Sequence, residues 1–147
     1  MMRSSPKITR VQLKINQNSE SVLVGIVSAE PDYKLSLSIN KKLKISLKNS
    51  SPIIVPDEPG TEIAFSRFSD LSAAHGPSYE LISNRSEKNF LLRKLKNIDY
   101  IFQIHITGNA AAVDRIISLL RGTESVTAVF NIDPKSLKDK FLHYIIQ

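Results

Sequence analysis

Residues 98–132 read IDYIFQIHITGNAAAVDRIISLLRGTESVTAVFNI, and their apolar spacing changes period twice. Ile98, Tyr100, Phe102, Ile104 and Ile106 occupy alternate positions, with Asp99, Ile101, Gln103 and His105 between them. A period of two predicts a long strand. Thr107-Gly108-Asn109 then turns the chain, with Asn109 suited to cap a helix. Val113, Ile116, Ile117 and Leu120 follow at i, i+3, i+4 and i+7, the stripe of an amphipathic helix. Gly122 is placed to stop it. Residues 125–132 return to strand spacing, with Val126, Ala128 and Phe130 aligned. Strand, helix and strand in succession predict a βαβ unit with a right-handed crossover. Asp133-Pro134 opens a terminal helix, whose inner face carries Leu137, Phe141, Tyr144 and Ile145.

Working back from this unit, residues 78–83 read as a strand and residues 84–90 as a polar connection. Residues 62–68 read as a strand with Ile63 and Phe65 inward, and 69–76 as a loop. Residues 49–60 hold three prolines and one glycine, which predicts a loop with a short extended piece at 53–55. Residues 44–48 look strand-like. Residues 21–27, SVLVGIV, predict a central strand. Residues 7–15 alternate through Val11, Leu13 and Ile15, so the two segments read as a hairpin turning at 16–19. In residues 31–43, Tyr33, Leu35, Leu37 and Ile39 alternate, yet Leu35, Ile39 and Leu43 also lie four apart behind the helix-start pair Pro31-Asp32. Periodicity alone favours a strand there. The expected fold is α+β: one domain over residues 7–147, with a mainly antiparallel sheet, about three helices on one face and an N-terminal arm at 1–6.

Composition narrows the chemistry. The chain has 147 residues, a net charge of +6 and no cysteine. Disulfides, thiolate metal sites and thiol nucleophiles are therefore excluded. The N-terminus has no apolar core of a secretory signal, and no window of apolar residues is long enough to span a bilayer. A cytoplasmic location without a membrane partner is expected. The histidines, His75, His105 and His143, have no metal-ligand spacing. No GxSxG, GxGxxG or GxxxxGK[ST] frame occurs, so neither an enzyme nor a cofactor is expected.

Three stretches carry a resemblance: Gly25 to Ser28 (GIVS), DYKLSLSINKKLKISL from Asp32, and KNIDYIFQI from Lys96. Together they resemble the bacterial IPExxxVDY family over roughly residues 7–132. Ile98, Asp99 and Tyr100 match Val-Asp-Tyr of that motif, while Leu92, Arg93 and Lys94 stand where the family has Ile, Pro and Glu. The resemblance implies no catalytic residues. It does bear on residues 31–43, because relatives fill the positions of Ser36 and Ser38 with apolar residues. That suits a helix better than a one-sided strand, and a helix is the expectation adopted.

Candidate functional residues fall in two groups. Asp99, Tyr100, Gln103, His105, Gly108 and Asn109 form a candidate ligand or partner surface along the signature strand and its turn. Asp is depleted in strands, so Asp99 asks for either a ligand or a structural partner such as backbone N–H groups or a nearby Arg. A helix N-terminus after Gly108 can attract anions. The second group is basic: Lys41, Lys42, Lys44 and Lys48, then Arg85, Lys88, Arg93, Lys94 and Lys96. If the two clusters meet, they make a phosphate-binding patch, although no aromatic residues are expected to interleave with them. The expected function is a non-catalytic module that binds a protein, another copy of itself or a small ligand. A basic RNA-binding accessory role is the alternative.

Overall fold

A computed structural model describes residues 19–71, 78–107 and 110–145. In order, the elements are β1 (Ser19–Val27), α1 (Asp32–Leu43), β2 (Lys48–Pro56), β3 (Glu62–Asp70), β4 (Ser78–Ser83), β5 (Arg85–Ser86), β6 (Asn89–Phe90), β7 (Tyr100–Thr107), α2 (Ala110–Arg121), β8 (Ala128–Ile132) and α3 (Pro134–Leu137). A 3-10 turn follows at Leu142–Tyr144. The fold is α+β. Six strands form one sheet in the order β2-β3-β4-β7-β1-β8, and every neighbouring pair is antiparallel. β5 and β6 make a separate ribbon inside the expected polar connection.

The βαβ expectation takes a split form. β7 and β8 are both antiparallel to β1 and so parallel to each other, but β1 lies between them. Leu23–Ile26, expected to lie in a hairpin with residues 7–15, is thus paired on both sides, by β7 and by β8. Residues 1–18, with that strand and the arm, lie outside the described residues, as does His75.

Alternation along the central strands feeds two cores. Val24 and Ile26 of β1 and Tyr100, Phe102 and Ile104 of β7 point to a helical face, where they meet Leu35 and Ile39 of α1 and Val113, Ile116, Ile117 and Leu120 of α2. Leu23, Ile101, Ile82 and Phe65 point the other way and are covered by Leu91, Leu92, Ile98 and Ile145. The helices therefore do not share one face: α1 and α2 cover one side, while the C-terminal segment, with Leu137, Phe141 and Tyr144, covers the other. That segment is broken into α3 and the 3-10 turn, in place of the continuous helix expected.

Residues 32–43 are helical, and the burial pattern explains the misleading alternation. Leu35, Ser36 and Ile39 are buried, while Tyr33 and Leu37 face solvent at 56% and 63% exposure. The Ser36 hydroxyl donates back to the Tyr33 carbonyl at 2.8 Å, which satisfies it inside the helix. Residues 49–56 form most of a nine-residue strand despite Pro52 and Pro56. A sheet edge tolerates proline because its outward N–H groups need no partner. Residues 44–47 are a connection rather than a strand; Lys44 ends α1 in the left-handed region. Gly122 follows α2 without a positive φ. In β8 the buried residues are Val129 and Ile132, and Phe130 is turned outward.

Candidate functional site

Asp99 and Tyr100 sit against the end of β1. Asp99 lies just before β7. One carboxylate oxygen accepts from the Ser28 backbone N–H at 2.9 Å, and the other pairs with Arg85 Nε at 2.7 Å. The Asp99 N–H donates to the Ile26 carbonyl. Tyr100 donates its phenol hydrogen to the Glu30 carbonyl at 2.6 Å. Burial raises the Tyr100 phenol to about 12, helped by the negative charges of Asp32, Asp99 and Glu30. Ser28 Oγ in turn donates to the Ser125 carbonyl at 2.6 Å, and Thr127 N–H donates to the Val27 carbonyl at 2.8 Å. Asp99 and Tyr100 thus fasten the chain leaving β1, and through Ser28 they hold the approach to β8. Around them lies an open cleft of about 470 Å³ lined by Ser28, Glu30, Ser83, Arg85, Asp99 and Thr127, among others.

His105 is remote from this knot. It lies six residues along β7 from Asp99, roughly 20 Å at the usual strand rise. Its Nδ1 is within hydrogen-bond distance, 2.9 Å, of Ser21 Oγ on the neighbouring strand. Gln103 is 1% exposed, and neither end of its amide has a hydrogen-bond partner. An unpaired buried amide costs about 1–3 kcal/mol. The structure does not bring Asp99 and His105 together, so they cannot act on one substrate atom. Gly108 and Asn109 lie outside the described residues. Among the described residues, no three His, Cys, Asp or Glu side chains group as a metal site.

The basic residues separate. Lys41 and Lys42 end α1 on the helical face, followed by Lys44 and then Lys48 at the start of β2. Arg93, Lys94 and Lys96 lie in the segment that buries Leu91, Leu92 and Ile98 on the opposite face. Lys94 Nζ donates to the carbonyls of Leu137 and Lys138 at 3.1 and 3.0 Å, and the Arg93 guanidinium stacks over the Phe141 ring. One joint patch is therefore not formed. Tyr33 and Leu37 of α1 are exposed, Tyr33 in its first turn, roughly 12 Å along the helix from Lys41.

The two sheet edges present the remaining surface. β2 carries Lys48, Pro52 and Pro56, and a register shift between Ser50 and Ile53. β8 reads AVFNI, with no charge and no proline, and pairs in unbroken register with Leu23–Val27. Among the described residues its outer side has no partner. Phe130 is 46% exposed there and lies opposite Gly25, whose missing Cβ leaves room for Ile98. Beside it runs a groove of about 400 Å³ lined by Leu95, Ile98, Phe130, Ile132, Asp133 and Leu137, among others. Asn84 holds the backbone of two residues that line it. Fully buried, Asn84 donates to the Leu95 and Ile98 carbonyls at 2.9 Å each and accepts from Leu92 N–H at 2.7 Å. Sequence reading missed both Phe130 as a surface residue and Asn84 as an organiser.

No helix among the described residues is long and apolar enough to cross a membrane. No protein-family model matches the chain, and no curated protein matches it.

Proposed function

We propose that this protein is a non-catalytic module that binds a polypeptide chain by adding an extended segment to β8. The observation that carries this reading is that β8, beside an apolar groove, has no outer partner among the described residues. Unpaired strand edges template another strand, and grooves beside them supply side-chain specificity. The knot of Asp99, Tyr100 and Ser28 supports the reading by fixing the edge in advance, so less freedom is lost on binding. Kinship with the IPExxxVDY family and a cytoplasmic setting belong to the same proposal, since Asp99 and Tyr100 are the residues kept from that motif. A second reading, RNA binding, draws on the basic end of α1 at Lys41, Lys42 and Lys44, with Tyr33 exposed at the start of the same helix.

Affinity capture with the full chain separates them. A partner held by the wild type and by Ile54→Lys, but lost with Phe130→Lys, supports strand addition. Binding that instead falls steeply with salt, and disappears on charge reversal of Lys41, Lys42 and Lys44, overturns it in favour of nucleic acid. A chain that is strictly monomeric and retains nothing overturns it as well.

A further inference from the structure

Residues 93–96 and 133–143 lie far apart in sequence, and Lys94 fastens them together. Its Nζ donates to the carbonyls of Leu137 and Lys138, and its backbone N–H donates to Asp139 Oδ2 at 3.3 Å. Arg93 lies over the Phe141 ring, and Lys140 Nζ stands 5.1 Å from the centre of the same ring. Folding thus gathers Arg93, Lys94, Lys96, Lys135, Lys138 and Lys140 into one region, all of them exposed. We infer that this patch binds single-stranded nucleic acid, its cations taking phosphates and the His143 ring taking a base. This activity is separate from strand addition at β8 and needs no residue of that edge.

Charge is the first support. The acids of the two segments are Asp133 and Asp139, and neither answers the cations. Asp139 is buried, and its two oxygens accept the backbone N–H groups of Lys94 and Phe141. Asp133 accepts from the Lys135 N–H and the Ser136 hydroxyl. Among the described residues no salt bridge joins either acid to any of the six cations. Like charges left together repel one another, and a polyanion relieves that repulsion. A phosphate chain gains further by releasing its own condensed counterions. Arg93 is prepared for the task, because stacking on Phe141 holds its planar guanidinium in place.

The rings decide which polyanion fits. Phe141, Leu142 and Tyr144 pack against the core beneath the patch, so they offer no apolar face to enter a bilayer. His143 is different: it is exposed. Its Nδ1 donates to the Lys140 carbonyl at 2.8 Å, since a carbonyl can only accept. Its ring packs against that of Tyr144, with centres 4.2 Å apart. A pinned, exposed ring among cations suits an unpaired base, which stacks while its phosphates are held. An acidic polypeptide would use the cations and leave the ring idle.

Fluorescence anisotropy of a labelled single-stranded RNA of about 12 nucleotides, titrated with the full chain, tests the inference. Binding should weaken steeply as salt is added. Lys96→Glu with Lys138→Glu should weaken it by at least about tenfold and flatten the salt dependence. Lys41→Glu with Lys42→Glu removes the same charge from the opposite face and should cost less than about threefold. His143→Ala should weaken binding by about fivefold or more while keeping the salt dependence, as the loss of one stacked base would. All five positions are exposed, so these variants should keep the wild-type circular dichroism. A wild type that does not bind the RNA overturns the inference. So does an equal loss in the two charge-reversed pairs, which would mean that net charge acts without a site. Polyglutamate or phosphatidylserine vesicles bound as tightly as the RNA would overturn the choice of partner, as would a His143→Ala variant of unchanged affinity.

Discussion

The two edge strands of the sheet have the same task on their inner side and opposite chemistry on their outer one. β2 buries Ile53 and Val55 against Phe65 and Ile63, while β8 buries Ile132 against Leu23 and Val129 on the helical face. Beyond that they diverge. β2 is interrupted by Pro52, ends on Pro56, begins on Lys48 and shifts register after Ser50. Each device discourages a further strand. β8 has none of them, and its Phe130, on the same sheet face as Ile132, is half exposed. Among the described residues the sheet thus protects one edge in several ways and leaves the other without a partner, and an uncovered apolar edge is an aggregation hazard.

The comparison holds only if the inner sides of both strands are structural and the outer sides are free. The largest expected effect tests this within single residue types. Ile132→Ala on β8 removes a buried side chain and should destabilise the fold by about 2–4 kcal/mol in urea unfolding. Ile54→Ala on β2 truncates a side chain that is 41% exposed and should cost less than about 0.5 kcal/mol. Equal losses at the two positions would mean that Ile54 is engaged by something, and that β2 is not the quiet edge.

A somewhat smaller effect probes what holds β8 in place. Tyr100 ties down the chain between β1 and α1, and its phenol is pushed up to about 12, first by burial. The unfolded chain ionises near pH 10, so the folded state gains nothing below that pH. Between pH 10 and about 12 the unfolded state releases a proton that the folded state keeps, and stability falls by about 1.4 kcal/mol per pH unit. Alkaline unfolding followed by tyrosinate absorbance should therefore steepen over this window. Tyr100→Phe should flatten that limb while lowering stability at neutral pH through the lost bond to Glu30. An unchanged alkaline limb in Tyr100→Phe would show that the phenol is not held by burial, and that the approach to β8 is looser than the knot implies.

The sequence was most legible where pattern and environment agree. β7 and α2 are long, centrally placed and buried in the register their periodicity announces, so Phe102, Ile104, Ile116 and Leu120 were identified as core. Three features stayed hidden for separate physical reasons. Being an edge is a tertiary property, so the prolines of β2 looked like loop residues although an edge strand accepts them. Tyr33 and Leu37 are apolar yet exposed, and their addition to Leu35 and Ile39 made a helix look like an alternating strand. The face that Phe130 occupies is set by its pairing with Gly25, a long-range register that local alternation around Val126 and Ala128 could not report. The candidate site was legible only in part. Asp99 could be singled out because carboxylates are rare beside strands, but its partners, Ser28 and Arg85, lie far off in sequence. Asn84 resembled an ordinary turn asparagine, since the backbone groups it satisfies are assembled only by folding.

The subtlest expected effect lies on β2 and inverts the comparison. Pro52→Thr with Pro56→Thr gives the strand two further N–H groups and β-branched side chains, which favour a pleated, half-buried surface. Losing two prolines also loosens the unfolded chain, at about 0.4–1 kcal/mol each, so the net change in stability should be small. Association should change instead. A chain with two bare edges can add a neighbour at each end, and a contact of that kind does not close. The double variant should therefore form open-ended assemblies, seen as light scattering that rises with concentration, and Ile54→Lys added to it should suppress them. If the variant scatters no more than the wild type, the register shift after Ser50 is sufficient protection alone. The prolines would then be tolerated at this edge without guarding it, and the contrast with β8 would rest on strand geometry and charge.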